Sequence, residues 1–195
     1  MNSYATLIIS GPDAAKFLQG QLTCDVLKLN NSEITLGAAC NRQGRIVANF
    51  WLQKVDGAFQ LKLPSETIDL LETHLKKYAI FSKIQFEKKI LPEKIDYFDL
   101  IQKGIALILP KTSEQFTPQM INLEKLGGVS FDKGCYLGQE IVARTEHLGK
   151  LKRHLQKLNS DEEKKPGDEI ENGVIVNIAE DGEKWQALAV TRDES

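Results

Sequence analysis

The sequence predicts a mixed α/β fold of the α+β kind, with one main core and a small β-rich C-terminal appendage, on three observations. Two apolar-rich stretches, 34–40 and 45–53, flank Asn41-Arg42-Gln43-Gly44, a turn-forming quartet that makes them the arms of an antiparallel hairpin. Ile68, Leu71, Leu75 and Tyr78 recur at offsets of 0, 3, 7 and 10, the spacing of one helical face. Beyond Asn159, short apolar runs alternate with Pro166-Gly167 and Asp181-Gly182, the punctuation of a β-meander.

Taken in order, 5–9 reads as a strand, and Gly11-Pro12-Asp13 starts a short helix with proline in the first turn and an acid at its positive end. Gly20 ends that helix. After the hairpin, Asp56-Gly57 turns the chain into a third strand, 58–63, and Pro64-Ser65-Glu66 opens the next helix. Ile80, Ser82, Ile84 and Phe86 alternate with Phe81, Lys83, Gln85 and Glu87, so 80–87 is expected to be a strand with one buried face. The pattern weakens over 88–103, where Pro92 and Gly104 suggest a loop or module junction. A short buried strand at 105–109, a loop at 111–118, a glycine-ended helical turn at 123–128 and a helix at 137–145 follow. The meander then supplies strands at 174–178 and 185–191.

A chain of 195 residues with 42% hydrophobic and 27% charged content can bury a sizeable core. Its net charge of -2 gives no global attraction to nucleic acid or to an anionic membrane, so any polyanion must meet a local patch. Two patches qualify: 76–94 holds six lysines against two glutamates, and 141–158 holds five Lys/Arg against Glu146. Neither comes with an aromatic stacking set or a nucleic-acid-binding motif, and no phosphate-binding glycine loop occurs. Absence of a basic leader or a long apolar run argues for a protein without membrane or secretion segments. Cys24, Cys40 and Cys135 are an odd set with no CxxC pair, which fits neither a disulfide framework nor a metal site and suits reduced thiols in a cytoplasm.

The informative segment is Lys133-Gly134-Cys135-Tyr136-Leu137-Gly138-Gln139-Glu140. A thiol just ahead of a helix start gains from unsatisfied N–H groups and the dipole, and the Lys133 ammonium two residues away would act as its activator. The bland alternatives are that Cys135 is a small packed residue and that Gln139 and Glu140 are solvated first-turn residues.

This octet resembles the K-G-C-[FY]-x-G-Q-E signature of YgfZ-type proteins, relatives of the glycine-cleavage T-protein. Gly20-Gln21-Leu22-Thr23, the segment from Ala39 through Arg45, Lys77-Tyr78-Ala79-Ile80-Phe81-Ser82-Lys83 and Pro118-Gln119-Met120-Ile121-Asn122-Leu123 resemble the family as well, in its order. The resemblance implies a T-protein-like folate-binding fold around a channel for tetrahydrofolate, with or without a polyglutamate tail, and a role in sustaining iron–sulfur enzymes, including tRNA-modifying ones. It implies that Cys135 is the functional thiol and that Asn49, Gln119 and Asn122 line the channel; Gln139, Glu140, Arg42 and Arg45 complete the expected folate-binding set. It also implies iron–sulfur client enzymes or assembly proteins as partners.

The chain is short for the family, so the expected organisation is a core over 1–150, with the ferredoxin-like module reduced around 88–117, and a truncated barrel-like segment over 151–195. Two rivals stand beside this reading. A folate-dependent aminomethyltransferase would need the T-protein aspartate where Ala48-Asn49 stands, and without a carboxylate the amine is neither oriented nor polarised. The other is a nucleic-acid- or protein-binding module using the basic patches, whose lysines could equally meet folate carboxylates.

Overall fold

The computed structural model describes residues 3–148 and 151–192. Its elements are β1 (Ser3–Ser10), α1 (Ala14–Gln19), β2 (Ile34–Cys40), β3 (Ile46–Val55), β4 (Ala58–Pro64), α2 (Ile68–Lys76), β5 (Gln85–Lys94), α3 (Tyr97–Gln102), α4 (Gln139–Leu148), β6 (Arg153–Ser160), β7 (Glu169–Ile170), β8 (Gly173–Asp181) and β9 (Lys184–Arg192). They form two antiparallel sheets, one ordered β2-β3-β4-β1-β5 and the other β6-β9-β8-β7. The mixed α/β fold with a half-barrel-like second sheet agrees with the sequence expectation.

Apolar residues of β1, β3 and β4 alternate inward and meet Leu71 and Leu75 of α2 and Phe17 and Leu18 of α1, a one-sided core. A second core joins the sheets: Ala38, Cys40 and Ile46 from the hairpin pack with Ile108, Phe116 and Ile121, and with Val176, Leu188 and Val190 of β8 and β9. Burying those apolar groups between two layers is the main attraction that holds them together.

Residues 106–109 are buried, but 105–109 join neither sheet ladder. Two asparagines satisfy the backbone instead. Asn49 of β3 donates Nδ2–H to Ala106 O at 2.7 Å and accepts Ile108 N–H at 2.8 Å. From the other sheet, Asn177 accepts Leu107 N–H at 2.7 Å and donates to Leu107 O at 2.9 Å. A side-chain amide carries a donor and an acceptor, so it can replace one rung of a ladder where no neighbouring strand exists.

Several expectations need correction. The strand expected over 80–87 begins only at Gln85 and continues to Lys94, and Phe81 is 97% exposed. Upstream, the chain is turned by the Asp13 carboxylate, which accepts Lys83 N–H at 2.7 Å, and by Gly11, where any Cβ would collide with Lys83 O. The stretch 88–103 is therefore mostly ordered: its Pro92 sits in an edge strand, where no ladder bond is lost, and Asp96 caps α3 by accepting Asp99 N–H. The basic 141–158 stretch contains most of β6, and the helix expected from residue 137 starts at Gln139.

Candidate functional site

The segment 133–140 is an anchored loop. Lys133 is buried, and its ammonium donates to the carbonyls of Leu22 and Cys24, each at 2.7 Å, while lying 5.1 Å from the Tyr136 ring centroid. Burial holds this amine down at about 8. Leu137 N–H donates to Gly20 O at 3.1 Å, which ties the loop to the end of α1. Gly138 has φ 83, and a Cβ there would collide with Asn41 O and sit 3.1 Å from Gly44 Cα. Gly44 answers from the hairpin turn with φ 69 and a would-be Cβ 3.0 Å from Ile141 Cβ. These two glycines let the hairpin turn and the start of α4 interlock at backbone distance.

What the loop presents is Cys135. It is exposed, whereas Cys24 and Cys40 are buried. Burial pushes those two thiols up to about 11 and about 12. Cys135 shares a cleft of about 620 Å³ with Gly20, Gln21, Arg42, Gln139 and Glu140. The structure thus brings together four of the sequence-selected residues: Cys135, Arg42, Gln139 and Glu140.

The others lie elsewhere. Asn49 uses both ends of its amide on 106 and 108, and Gln119 is buried and donates Nε2–H to Val142 O at 2.7 Å, so both act as struts. Arg45 donates to Gln115 O at 2.6 Å, and Ile46 N–H donates to Phe116 O, so the hairpin is packed directly on the segment leading to Gln119 and Asn122. Asn122 holds a left-handed turn at φ 56. Lys133 is directed at carbonyls instead of at the Cys135 sulfur. Cys135 itself stands four residues ahead of α4, and the N–H of Tyr136, which lies between them, is met by Gln139 Oε1 at 3.2 Å. Exposure is what distinguishes this thiol from its two neighbours. Sequence reasoning missed Gln21, whose Oε1 is buried without a partner among the described residues; only its place beside Gly20 in the family-like run hinted at it.

A second cleft of about 550 Å³ lies at the seam of the two sheets. Glu66, Tyr97 and Lys111 line it from one side, and Lys164, Lys165 and Trp185 from the other. No sequence pattern signalled it, because its walls come from six separate segments.

Among solved structures, the chain is similar to the glycine cleavage system aminomethyltransferase T from Bartonella henselae, with a TM-score of 0.64 over 98% of this chain and 76% of that one, at 13% identity. Fold and site together define a T-protein-like α/β protein carrying an exposed-thiol motif loop. Among sequences, it is 32% identical to an uncharacterized protein of Haemophilus influenzae over 247 residues, covering 99% of this chain and 88% of that one. It is 30% identical to the tRNA-modifying protein YgfZ of Hamiltonella defensa, covering 80% of this chain and 67% of that protein, and 28% identical to that of Klebsiella pneumoniae, covering 88% and 74%. No family model matches. The chain belongs to the YgfZ family.

Proposed function

We propose that this protein binds tetrahydrofolate, in a polyglutamated form, and supports the assembly or repair of iron–sulfur enzymes, tRNA-modifying ones among them, in the cytoplasm. The observation that carries the reading is the motif loop: Lys133 and Gly138 are committed to anchoring it, while the thiol of Cys135 is left exposed in the cleft beside Glu140. Relatives named as tRNA-modifying proteins support the same direction.

Tetrahydrofolate would supply a reduced pterin able to carry a one-carbon unit. Some of the residues present fit such a ligand: the seam cleft joins the rings of Tyr97 and Trp185 with a carboxylate, Glu66, that can accept ring N–H donors, and with Lys111 and Lys165, which could meet a glutamate carboxylate, beside a second acid, Glu163. In the motif cleft, the exposed Arg42 is available to a ligand, and Cys135 is available to an iron–sulfur client. On this reading residues 1–150 are the folate-binding core and 151–195 a barrel-like part.

Aminomethyl transfer is disfavoured by Asn49, which has no carboxylate and is closed off by its two backbone bonds. The nucleic-acid alternative loses charge in its first patch, where Lys88 pairs with Asp69 and Glu72 and Lys76 with Glu72.

The test is complementation in cells lacking their own YgfZ-type protein, scored by iron–sulfur enzyme activity. Wild type, Cys24→Ala and Cys40→Ala should restore activity, and Cys135→Ala should not. Full rescue by Cys135→Ala would reduce the loop to a structural marker.

A further inference from the structure

Residues 79–82 form a β-turn in which Ser82 N–H donates to Ala79 O at 2.9 Å, and its two corner residues, Ile80 and Phe81, are 76% and 97% exposed. Turn corners favour Gly, Pro, Asn, Asp and Ser, so two large apolar side chains there run against local preference and leave surface that folding does not bury. The turn is held from both flanks. Tyr78, Ala79 and Ile84 pack on the main core, and the Asp13 carboxylate accepts Lys83 N–H at 2.7 Å.

Residues 26–29 repeat the arrangement. Leu29 N–H donates to Val26 O at 3.4 Å, Val26 and Leu29 are buried, and Leu27 at the corner is 64% exposed. Gln19 Oε1 fixes this turn by accepting Val26 N–H at 2.8 Å and Leu27 N–H at 3.3 Å. Asp13 stands immediately before α1, Lys16 within it and Gln19 at its end, each three residues from the next and therefore along one side of the helix. Both turns are thus clamped to that side, at anchor points about 9 Å apart along the axis.

The surroundings are cationic. Residues 11–29 and 76–84 hold Lys16, Lys28, Lys76, Lys77 and Lys83 against Asp13 and Asp25. Lys28 pairs with Asp25 at 3.5 Å and Lys76 with Glu72 at 2.8 Å, which leaves Lys16, Lys77 and Lys83 against Asp13, an excess of +2. Those three lysines are exposed and make no ion pair among the described residues. Counting Glu33 as well, which lies beyond the second turn and accepts Asn30 N–H, keeps the sign positive.

The side chains themselves choose among partners. Protein interfaces are enriched in aromatic residues, Met and Arg and depleted of Lys, whereas these two segments contain no Arg, Met or Trp and expose one ring. Single-stranded nucleic acid needs rings on which to stack, and Ile80 and Leu27 offer none. An anionic bilayer needs neither. Protruding apolar tips enter its interface, while lysine stems lie along them and the ammonium groups reach phosphates.

We propose that this face docks peripherally on an anionic phospholipid bilayer, with Phe81, Ile80 and Leu27 inserted and Lys16, Lys77 and Lys83 on the headgroups. Full-length protein is floated on a density gradient with vesicles of phosphatidylcholine alone and of phosphatidylcholine mixed equally with phosphatidylglycerol, at low and at raised salt. Every variant is first checked for an unchanged urea midpoint. The expected result is association with the anionic vesicles only, weakening as salt rises. Partition should fall about fivefold for each of Lys77→Gln and Lys83→Gln, and at least about tenfold for Ile80→Ser/Phe81→Ser. Ile34→Ser, which removes a 60% exposed apolar residue on β2, should leave it unchanged. Phe81→Trp, in a protein carrying Trp51→Phe and Trp185→Phe, should be quenched by lipids brominated on their acyl chains. Flotation without that quenching, or indifferent to Ile80→Ser/Phe81→Ser, would mean adsorption by charge alone and overturn the proposal. Absence of flotation with either vesicle would overturn it too. A wild-type dimer that Ile80→Ser/Phe81→Ser turns into a monomer in analytical ultracentrifugation would then assign the face to a second copy of this chain.

Discussion

Cys135 and Lys133 are two residues apart in sequence and play opposite parts. The thiol is exposed, while Cys24 and Cys40 are buried and raised to about 11 and about 12 by that burial. Since the thiolate is the reacting species, iodoacetamide at pH 8 should label Cys135 in the native protein well before the other two, with peptide mass spectrometry as the readout. Equal labelling of all three would contradict the placement of this loop. Lys133 is the residue whose loss should be felt in folding. Lys133→Met leaves the Leu22 and Cys24 carbonyls without their donor and should cost about 2–4 kcal/mol by denaturant titration, against under about 0.5 kcal/mol for Cys135→Ala. The pH dependence has a definite sign. In the unfolded chain the amine keeps its proton up to its ordinary value of 10.5, and in the folded protein it loses it near 8, so between those values the unfolded state binds more protons and folding is favoured as pH rises. That contribution is lost as pH falls through about 8. Wild type should therefore exceed Lys133→Met by a wider margin at pH 9.5 than at pH 7, a comparison in which the titrations of groups remote from Lys133 cancel.

At the scale of elements, the hairpin β2–β3, the first helix, β4 and α2 could be read from periodicity and turn residues, because each buries one face against a neighbouring core. Alternation alone misplaced β5. Ile80 and Phe81 satisfy a period of two, yet the carboxylate of Asp13 and the close approach at Gly11, both distant in sequence, fix the chain in turns there. The segment 105–109 was legible as largely buried but not as unladdered, since its partners are side chains of Asn49 and Asn177, some 60 to 70 positions away. This arrangement yields a prediction that also bears on the rival chemistry. Asn49→Asp would place a second acceptor against Ala106 O, removing a donor from a buried carbonyl. It should destabilise the protein by about 2–4 kcal/mol. It should also confer no aminomethyl transfer in a reconstituted glycine-cleavage assay, because the residue faces the 105–109 backbone. Turnover above the uncatalysed rate would show that position 49 reaches substrate after all.

For the whole molecule, the same distinction governs what the sequence could disclose. The motif cleft was legible because Cys135, Gln139 and Glu140 are contiguous and Arg42 lies in a recognisable turn; the seam cleft was not, because Glu66, Tyr97, Lys111, Lys165 and Trp185 meet only when the two sheets close on each other. That closure is also a thermodynamic statement. Residues 1–150 and 151–195 were expected as a core and an appendage, which would melt separately if the boundary between them were weak. Across that boundary Cys40 and Ile46 of one sheet share a buried cluster with Val176, Leu188 and Val190 of the other, and Asn177 supplies two buried bonds to Leu107. Opening the seam would expose apolar surface from both layers and orphan the Leu107 backbone, so neither sheet can unfold without destabilising its neighbour. The two tryptophans report on this independently, Trp51 from β3 and Trp185 from β9. Single-tryptophan proteins, Trp51→Phe and Trp185→Phe, should each show one urea transition by fluorescence that coincides with its own transition by far-ultraviolet circular dichroism. If the Trp185 signal were lost at lower urea than the bulk of the secondary structure, the second sheet would be an appendage that opens alone, and the seam would be too weak to hold a preformed cleft.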